Sequence, residues 1–509
     1  MTRGRHAADA AALPSDPRAI HELQGHIDTL ARRPWFRRVW IVQELALARR
    51  AQVVCGTDML DWDALVRGLE TGLTSGFFET RTLGLVSSSN FGNILALARA
   101  REPVGLEGRP AERLLHLLYS HHTRDATDPV DKVYSLLGLV GGGVTDLGKE
   151  PDYRQPYTVT YKAVAVALLE NSSNLDVLGM CTEAESIAKS GKLPSWVADW
   201  STTRTKMVLL TIINVETSQP AHATMSSSTV LRFSADHMHL LLSGYVIDSV
   251  VETSDTMSLL ENETNWFRDD DMPPDVIVED HLPDDPSLWQ SFRSFFRKDL
   301  QEFVLWQKAA IAYQWRELIR IVETMTCFVR WETFAGVHGI KQPRDRKPAD
   351  IRISTYWKTL CAGNRLTSEE DGDTPDAQTE AAFWEWHNSL APTRNLLRLR
   401  ANAVSSSAYK SAAFLGYLQK TWSAYSKFND VLDHAYNRRL AKTSSGRLAL
   451  VPGDAQAGDV IVLCKGGSVP LCLRRADETV FGLLGEAYVH DIMDGRAFDE
   501  ARCEAIAIR

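Results

Sequence analysis

In the stretch RRPWFRRVWIVQELALARRAQVVCG, residues 32–56, one carboxylate stands inside an apolar run: Glu44, four residues after Trp40. Four residues return about one helical turn, so Trp40 and Glu44 share a face. Such a carboxylate is either a catalytic group or a helix residue with an arginine partner. The neighbouring Arg37, Arg38 and Arg49 support a plainer reading, an ion pair within the helix. Trp35, Phe36 and Trp40 read as packing residues. Arg32, Arg33, Arg37 and Arg38 form either a phosphate-facing cluster or a solvated face.

Other residue types with chemical potential have structural readings beside them. Asp128 and Asp131 in DATDPVDKVYSLLGL are paired carboxylates or helix caps, and capping explains them better. Ser195 in LPSWVADWS has neither a nearby histidine nor a G-x-S-x-G elbow, which argues against a hydrolase triad. Trp196 and Trp200 are expected to anchor that segment in the core. Tyr488 and His490 in GEAYVHDIMDG fall on alternate strand positions and are expected to face one side of a hairpin. The seven cysteines contain no C-x-x-C pair, and His121-His122 has no cysteine nearby, so no metal site is expected. A sparse, odd cysteine set points to reduced thiols and an intracellular, cytoplasmic chain.

These residues must be positioned by a chain of 509 residues, enough for two or three domains and a large core. Hydrophobic residues make up 44% and charged residues 24%, an ordinary globular balance. A net charge of −9 gives no basic footprint for nucleic acid. No apolar run of about 18 residues marks a membrane span, and the N-terminus lacks the apolar stretch of a secretory signal.

Periodicity divides the chain as follows. Residues 1–18 read as a flexible leader. A helical pattern through Ile20, Leu23, Ile27 and Leu30 breaks at Pro34, and a second helix is expected from Arg37 to Arg49. AQVVCG reads as a strand, and DWDALVRGLETGL as a helix capped by Asp61. Within the helical region 57–203, a helix near 131 is expected to start at Asp128-Pro129 and to stop at Gly138. Residues 204–260 contain strands, with HLLLSGYVIDSVVE the best candidate. An acidic loop spans 261–285, and a helical region 286–445 contains another acidic loop at 369–380. From 446 to 509, short apolar runs between Gly, Pro and Asp turns predict a small β unit of four or five strands. The expected fold class is α+β: a mostly helical body with that C-terminal β unit.

The ordered set RRPWFRRVWIVQELALAR, DATDPVDKVYSLLGL, PDY at 151–153, LPSWVADWS, GYVIDSV, RLALVPGDAQAGDVIVLCKGGSVPLCLR and LLGEAYVHDIMDGRA resembles the fungal heterokaryon incompatibility (HET) domain proteins. The resemblance spans about residues 31 to 497. It marks Trp35, Arg38, Trp40, Gln43, Asp131, Tyr134, Trp196, Asp199, Trp200, Gly485, Tyr488 and His490 as motif positions. Two earlier family motifs, of the Y-x-x-L-S-Y-x-W-G and W-I-D-A-I-C-I-N-Q types, are absent, so the chain reads as truncated within the HET domain. Residues 19–56 are then the end of that domain, a partial α/β remnant similar to Toll/interleukin receptor (TIR) domains.

Some TIR domains cleave NAD with a helical glutamate in a W-C-x-x-E-like motif, and Glu44 occupies the matching position. The family usually has glycine where this chain has Asp491, which implies a changed turn. The resemblance implies non-self recognition and programmed cell death through association with a protein partner or a second copy. It implies no catalysis in this truncated form, no cofactor, and NAD only as a possible substrate of Glu44. The remaining alternative is a degenerate fragment without activity.

Overall fold

Several short runs between 438 and 508 are apolar at almost every position, VIVLC and PLCLR among them. The computed structural model shows that both faces of these strands are covered, which removes the polar half of the usual alternation. It describes residues 27, 30–31, 33–74, 88–101, 109–140, 151–181, 193–202, 223–224, 228–257, 323–342, 350–363, 375–391, 394, 428 and 431–509.

The protein is α+β. Its central strand is β4 (Leu240–Met257), with β3 (Leu231–Phe233) beside it. The strands that follow are β5 (Arg438–Thr443), β6 (Leu448–Pro452), β7 (Val460–Cys464), β8 (Leu471–Arg475), β9 (Val480–Glu486), β10 (Tyr488–Val489) and β11 (Glu504–Ile508). The first half of β4 pairs with β11 on one side and β7 on the other. The ladder β11–β9–β8–β7 joins those two partners and closes a ring, with β9 and β11 parallel and the other pairs antiparallel. Beyond Ser249, β4 leaves the ring and pairs with β5, which carries β6 and β10 as a wing. The β unit expected within 446–509 therefore begins earlier, and its central strand comes from 240–257.

Alternation along these strands separates three cores. Ile461 and Leu463 point into the barrel with Tyr245, Cys472 and Leu484. Val462 and Cys464, one residue out of phase, pack with Leu471, Leu473 and Leu483 against the N-terminal helices. Leu440, Leu450 and Tyr488 on the wing pack against a second helical unit.

The N-terminal body contains a 3-10 turn (Pro34–Arg37), α1 (Ile41–Leu47), a hairpin of β1 (Gln52–Cys55) and β2 (Asp58–Asp61), and α2 (Trp62–Thr74). It continues with α3 (Ser88–Arg99), α4 (Pro110–His121), α5 (Asp131–Leu137) and α6 (Tyr157–Asn171). Asp61 caps α2, its Oδ1 accepting from the amides of Asp63 and Ala64 at 3.1 and 3.3 Å. The helix expected from Arg37 to Arg49 is shorter. The Arg37 carbonyl and the Val39 amide are drawn into backbone bonds with Asp125, so α1 starts only at Ile41. Among the described residues this body forms no parallel strand pair. Among those residues its one sheet is the antiparallel β1–β2 hairpin, with a single parallel bridge between Arg38 and Asp125.

The second helical unit comprises α7 (323–334), α8 (Ile351–Leu360) and α9 (Pro375–Ser389) around an aromatic core of Phe328, Trp331, Tyr356, Phe383, Trp386 and Phe428. The chain is already helical from Pro375, inside the expected acidic loop. The expected leader 1–18, the loop 261–285 and residues 369–374 lie outside the described residues.

Candidate functional site

The N-terminal motif is stapled to the TRDATDPVDK segment through backbone. Arg38 bridges Asp125, the Val39 amide donates to the Asp125 carbonyl at 2.9 Å, and the Arg37 guanidinium pairs with the Asp125 carboxylate at 3.1 Å. Arg124 is buried beneath, donating to the Phe36 carbonyl at 2.5 Å and to His121 Nδ1 at 3.0 Å. Lys132 donates to the carbonyls of His122 and Arg124. Burial pushes Arg124 down to about 9 and Lys132 to about 8, yet both stay charged at neutral pH, held by carbonyl oxygens. Phe36 stacks on Trp62, while Trp35 lies edge-on to Phe36 and is 41% exposed.

Glu44 lies one turn beyond Trp40, its amide donating to the Trp40 carbonyl at 3.2 Å, as the spacing requires. Its side chain, however, stands in solvent, and Trp40 is half-buried. The face carrying Glu44 thus does not pack toward a sheet, and among the described residues Glu44 makes no ion pair with Arg37, Arg38 or Arg49. Gln43 takes the inward place instead. Its amide covers Gly138 so closely that a Cβ there would meet Nε2 at 2.6 Å.

The remaining motif positions knit segments to one another. Asp131 accepts from the Tyr153 hydroxyl at 2.9 Å, and the Tyr134 hydroxyl accepts from the Asp152 amide at 3.1 Å. The Tyr161 hydroxyl donates to the Pro129 carbonyl, and its ring meets Trp200 edge-on at 5.0 Å. Trp196 is fully buried, with Nε1 donating to the Met238 carbonyl at 3.3 Å. Asp199 closes its own turn by accepting from the Ser201 amide and hydroxyl. Ser195, which sequence reasoning set aside, ties the segment to the barrel: its hydroxyl donates to the Arg509 carbonyl and accepts from the Leu483 amide.

At the C-terminal motif, β10 ends at Val489, so Tyr488 and His490 do not share a strand face. Tyr488 is buried against the second helical unit, and half-buried His490 lies in the following turn, 3.3 Å from Asp491. Gly485 has φ +136° at a β8–β9 register shift, a backbone that side chains rarely adopt. Asp491 has φ +68°, so the turn keeps a left-handed geometry that suits glycine, and aspartate adopts it.

Residues 378–506, which hold β5 to β10 and most of β11, match the family model of the Het-6 beta-barrel domain. Along 513 residues the chain is 24% identical to heterokaryon incompatibility protein 6, OR allele, of Neurospora crassa. Over both stretches the chain is similar to heterokaryon incompatibility proteins. The alignment covers 93% of this chain and 66% of the Neurospora protein, so the chain spans a little under two thirds of that relative's length. No solved structure matches it.

Several buried ionic groups of this fold were not foreseen from the sequence. Asp248 of GYVIDSV accepts from the Ser249 and Ser445 amides and the Ser444 and Ser445 hydroxyls, with Arg447 at 3.4 Å. Burial works against its charge, but those donors hold it down at about 2. Asp459 binds Arg474 through both oxygens at 2.9 Å. Glu332 in the second helical unit binds Arg394 at 2.6 and 2.7 Å and His387 Nδ1 at 2.8 Å. Asp176 sits in a turn between α6 and the barrel and accepts from the Ser468 hydroxyl at 2.9 Å. The available signal was an acid within an otherwise apolar run, as in GYVIDSV and CFVRWETF. That pattern marks a buried, partnered group but names no partner.

Among the described residues no group of His, Cys, Asp and Glu could hold a metal ion, and no helix is long and apolar enough to cross a membrane.

Proposed function

We propose that this protein acts in fungal non-self recognition of the heterokaryon incompatibility type, triggering cell death by associating with another protein through its N-terminal hairpin. The carrying observation is the outer face of that hairpin. Val54 and Met59 pair across it, 62% and 70% exposed, while Val53, one residue out of phase, packs on the core. Leu47 at the end of α1 is a further exposed apolar side chain of this body. A two-stranded sheet also has open strand edges, which favour addition of a strand from a partner or a second copy.

The reading needs no cofactor, nucleic acid or membrane. It is supported by the resemblance to the Neurospora incompatibility protein and by seven free thiols, which suit the cytoplasm. Light scattering on the full chain, alone and with fungal lysate fractions, tests it. The wild type is expected to form a larger species, and Val54→Asp/Met59→Asp, with an unchanged circular dichroism spectrum, is expected to lose it. A larger species that persists in the double variant overturns the assignment to this face.

A further inference from the structure

A second feature of the N-terminal body is independent of the hairpin. Along α4, Arg113, His116, Ser120 and His121 recur at three, four and one, lining one side of a cleft. The end of α3 supplies the other side with Arg99 and the small side chains of Ala96 and Ala100, which leave room that larger residues would fill. The cleft measures about 90 Å³, the share of roughly three waters in the liquid.

Its chemistry is one-sided. Among the described residues the lining carries two guanidiniums, two imidazoles and a hydroxyl, and no carboxylate. Arg113 Nε and His116 Nδ1 are buried atoms without a hydrogen-bond partner among the described residues, an expensive state for a donor. Glu112, the acid next to Arg113, is turned about 100° around the helix and acts on Asp176 at the barrel. Burial, then Arg99, then Arg113 oppose a proton on His116. The positive charge facing the cleft is that of the two guanidiniums, with the neutral imidazoles as hydrogen-bonding groups.

We propose that this cleft binds one phosphate-type oxyanion, free or as the phosphoryl end of a larger molecule, with Arg99 and Arg113 supplying charge and His116 and Ser120 supplying hydrogen bonds. The volume admits one tetrahedral group, so any ester portion lies outside the cleft. Paired guanidiniums suit the oxygens of such a group, each donating along a planar fork.

The test is calorimetric titration of the full chain, in chloride buffer, with inorganic phosphate and separately with adenosine monophosphate. Saturable binding of phosphate assigns the free ion, and tighter binding of the monoester assigns a phosphoryl group on a larger molecule. In either case Arg113→Gln should weaken binding by about tenfold or more, and His116→Asn should weaken it too. Arg99→Gln, at an exposed position, keeps the test valid if Arg113→Gln fails to fold. Arg475→Gln, on β8 of the barrel, should bind as the wild type does. Absence of saturable binding with both ligands, or affinity unchanged in the folded Arg99 and Arg113 variants, overturns the proposal.

Discussion

Asp176 and Glu332 are both buried carboxylates, one at the seam between the N-terminal body and the barrel, the other inside the second helical unit. Their surroundings push them in opposite directions. Burial raises Asp176 to about 7, with Glu486 and Glu112 adding to the rise and one hydroxyl, from Ser468, opposing it. Burial also works to raise Glu332, but hydrogen bonds and charge from Arg394 and His387 outweigh it and hold the carboxyl below its usual value. Depth alone does not decide the charge state of a buried acid; the partners do. The two carboxylates consequently lose their stabilising contributions in opposite pH directions.

Replacing Glu332 tests the larger side of this contrast. Glu332→Gln leaves Arg394 beside a neutral amide, and a loss of about 3–5 kcal/mol in urea unfolding at pH 7 is expected. The stability due to Glu332 is present above its unfolded value and is lost as pH falls through its lower folded value. The variant should therefore show a shallower acid limb than the wild type. A variant with an unchanged acid limb would remove Glu332 from the comparison.

Asp176 has the opposite sign. Its folded value is raised, so its contribution is complete below the unfolded value and falls as pH rises toward about 7. Asp176→Asn should flatten the decline in wild-type stability between pH 4 and 7. The gain over wild type should grow to the order of 2–4 kcal/mol at pH 8. Equal slopes for the two proteins would show that Asp176 keeps its charge in the fold.

Asp248 sharpens the contrast, because it is bonded by hydroxyls as Asp176 is, yet it is held at about 2. Two hydroxyls, two amides and Arg447 surround it, in place of one hydroxyl and two acids. Asp248→Ala should cost about 1.5–3 kcal/mol and raise amide exchange in the 443–447 turn. Protection unchanged in that turn would mean the carboxylate does not hold it. The smallest effect belongs to Asp491, whose φ of +68° strains the backbone. Asp491→Gly should stabilise by up to about 1 kcal/mol, read as a small rise in melting temperature, and a fall would show that the side chain contributes more than the backbone loses.

Local signals in the sequence were readable where one residue satisfies a nearby amide. Asp61 caps α2, and Asp128 Oδ1 accepts from the Val130 amide where α5 begins. The barrel was only half legible. Runs such as VIVLC announce strands, but closure depends on β4, which the second helical unit separates from β5 in sequence. The spacing of Trp40 and Glu44 gave the right helical turn but not its surroundings, because periodicity fixes which residues share a face and not what that face meets. Partners such as Arg394 for Glu332, or Ser445 for Asp248, are products of tertiary folding and leave no local trace.

The motif residues of this chain are mostly occupied in joining segments, while Val54 and Met59 stand unoccupied at the surface. Expression in fungal hyphae tests that division of labour most directly, with cell death scored for wild type, Glu44→Gln and Val54→Asp/Met59→Asp at matched protein levels. The account predicts that Glu44→Gln kills as the wild type does and that the hairpin variant does not. Loss of killing in Glu44→Gln, together with NAD consumption by the wild type and none by that variant, would contradict it and make Glu44 a catalytic residue.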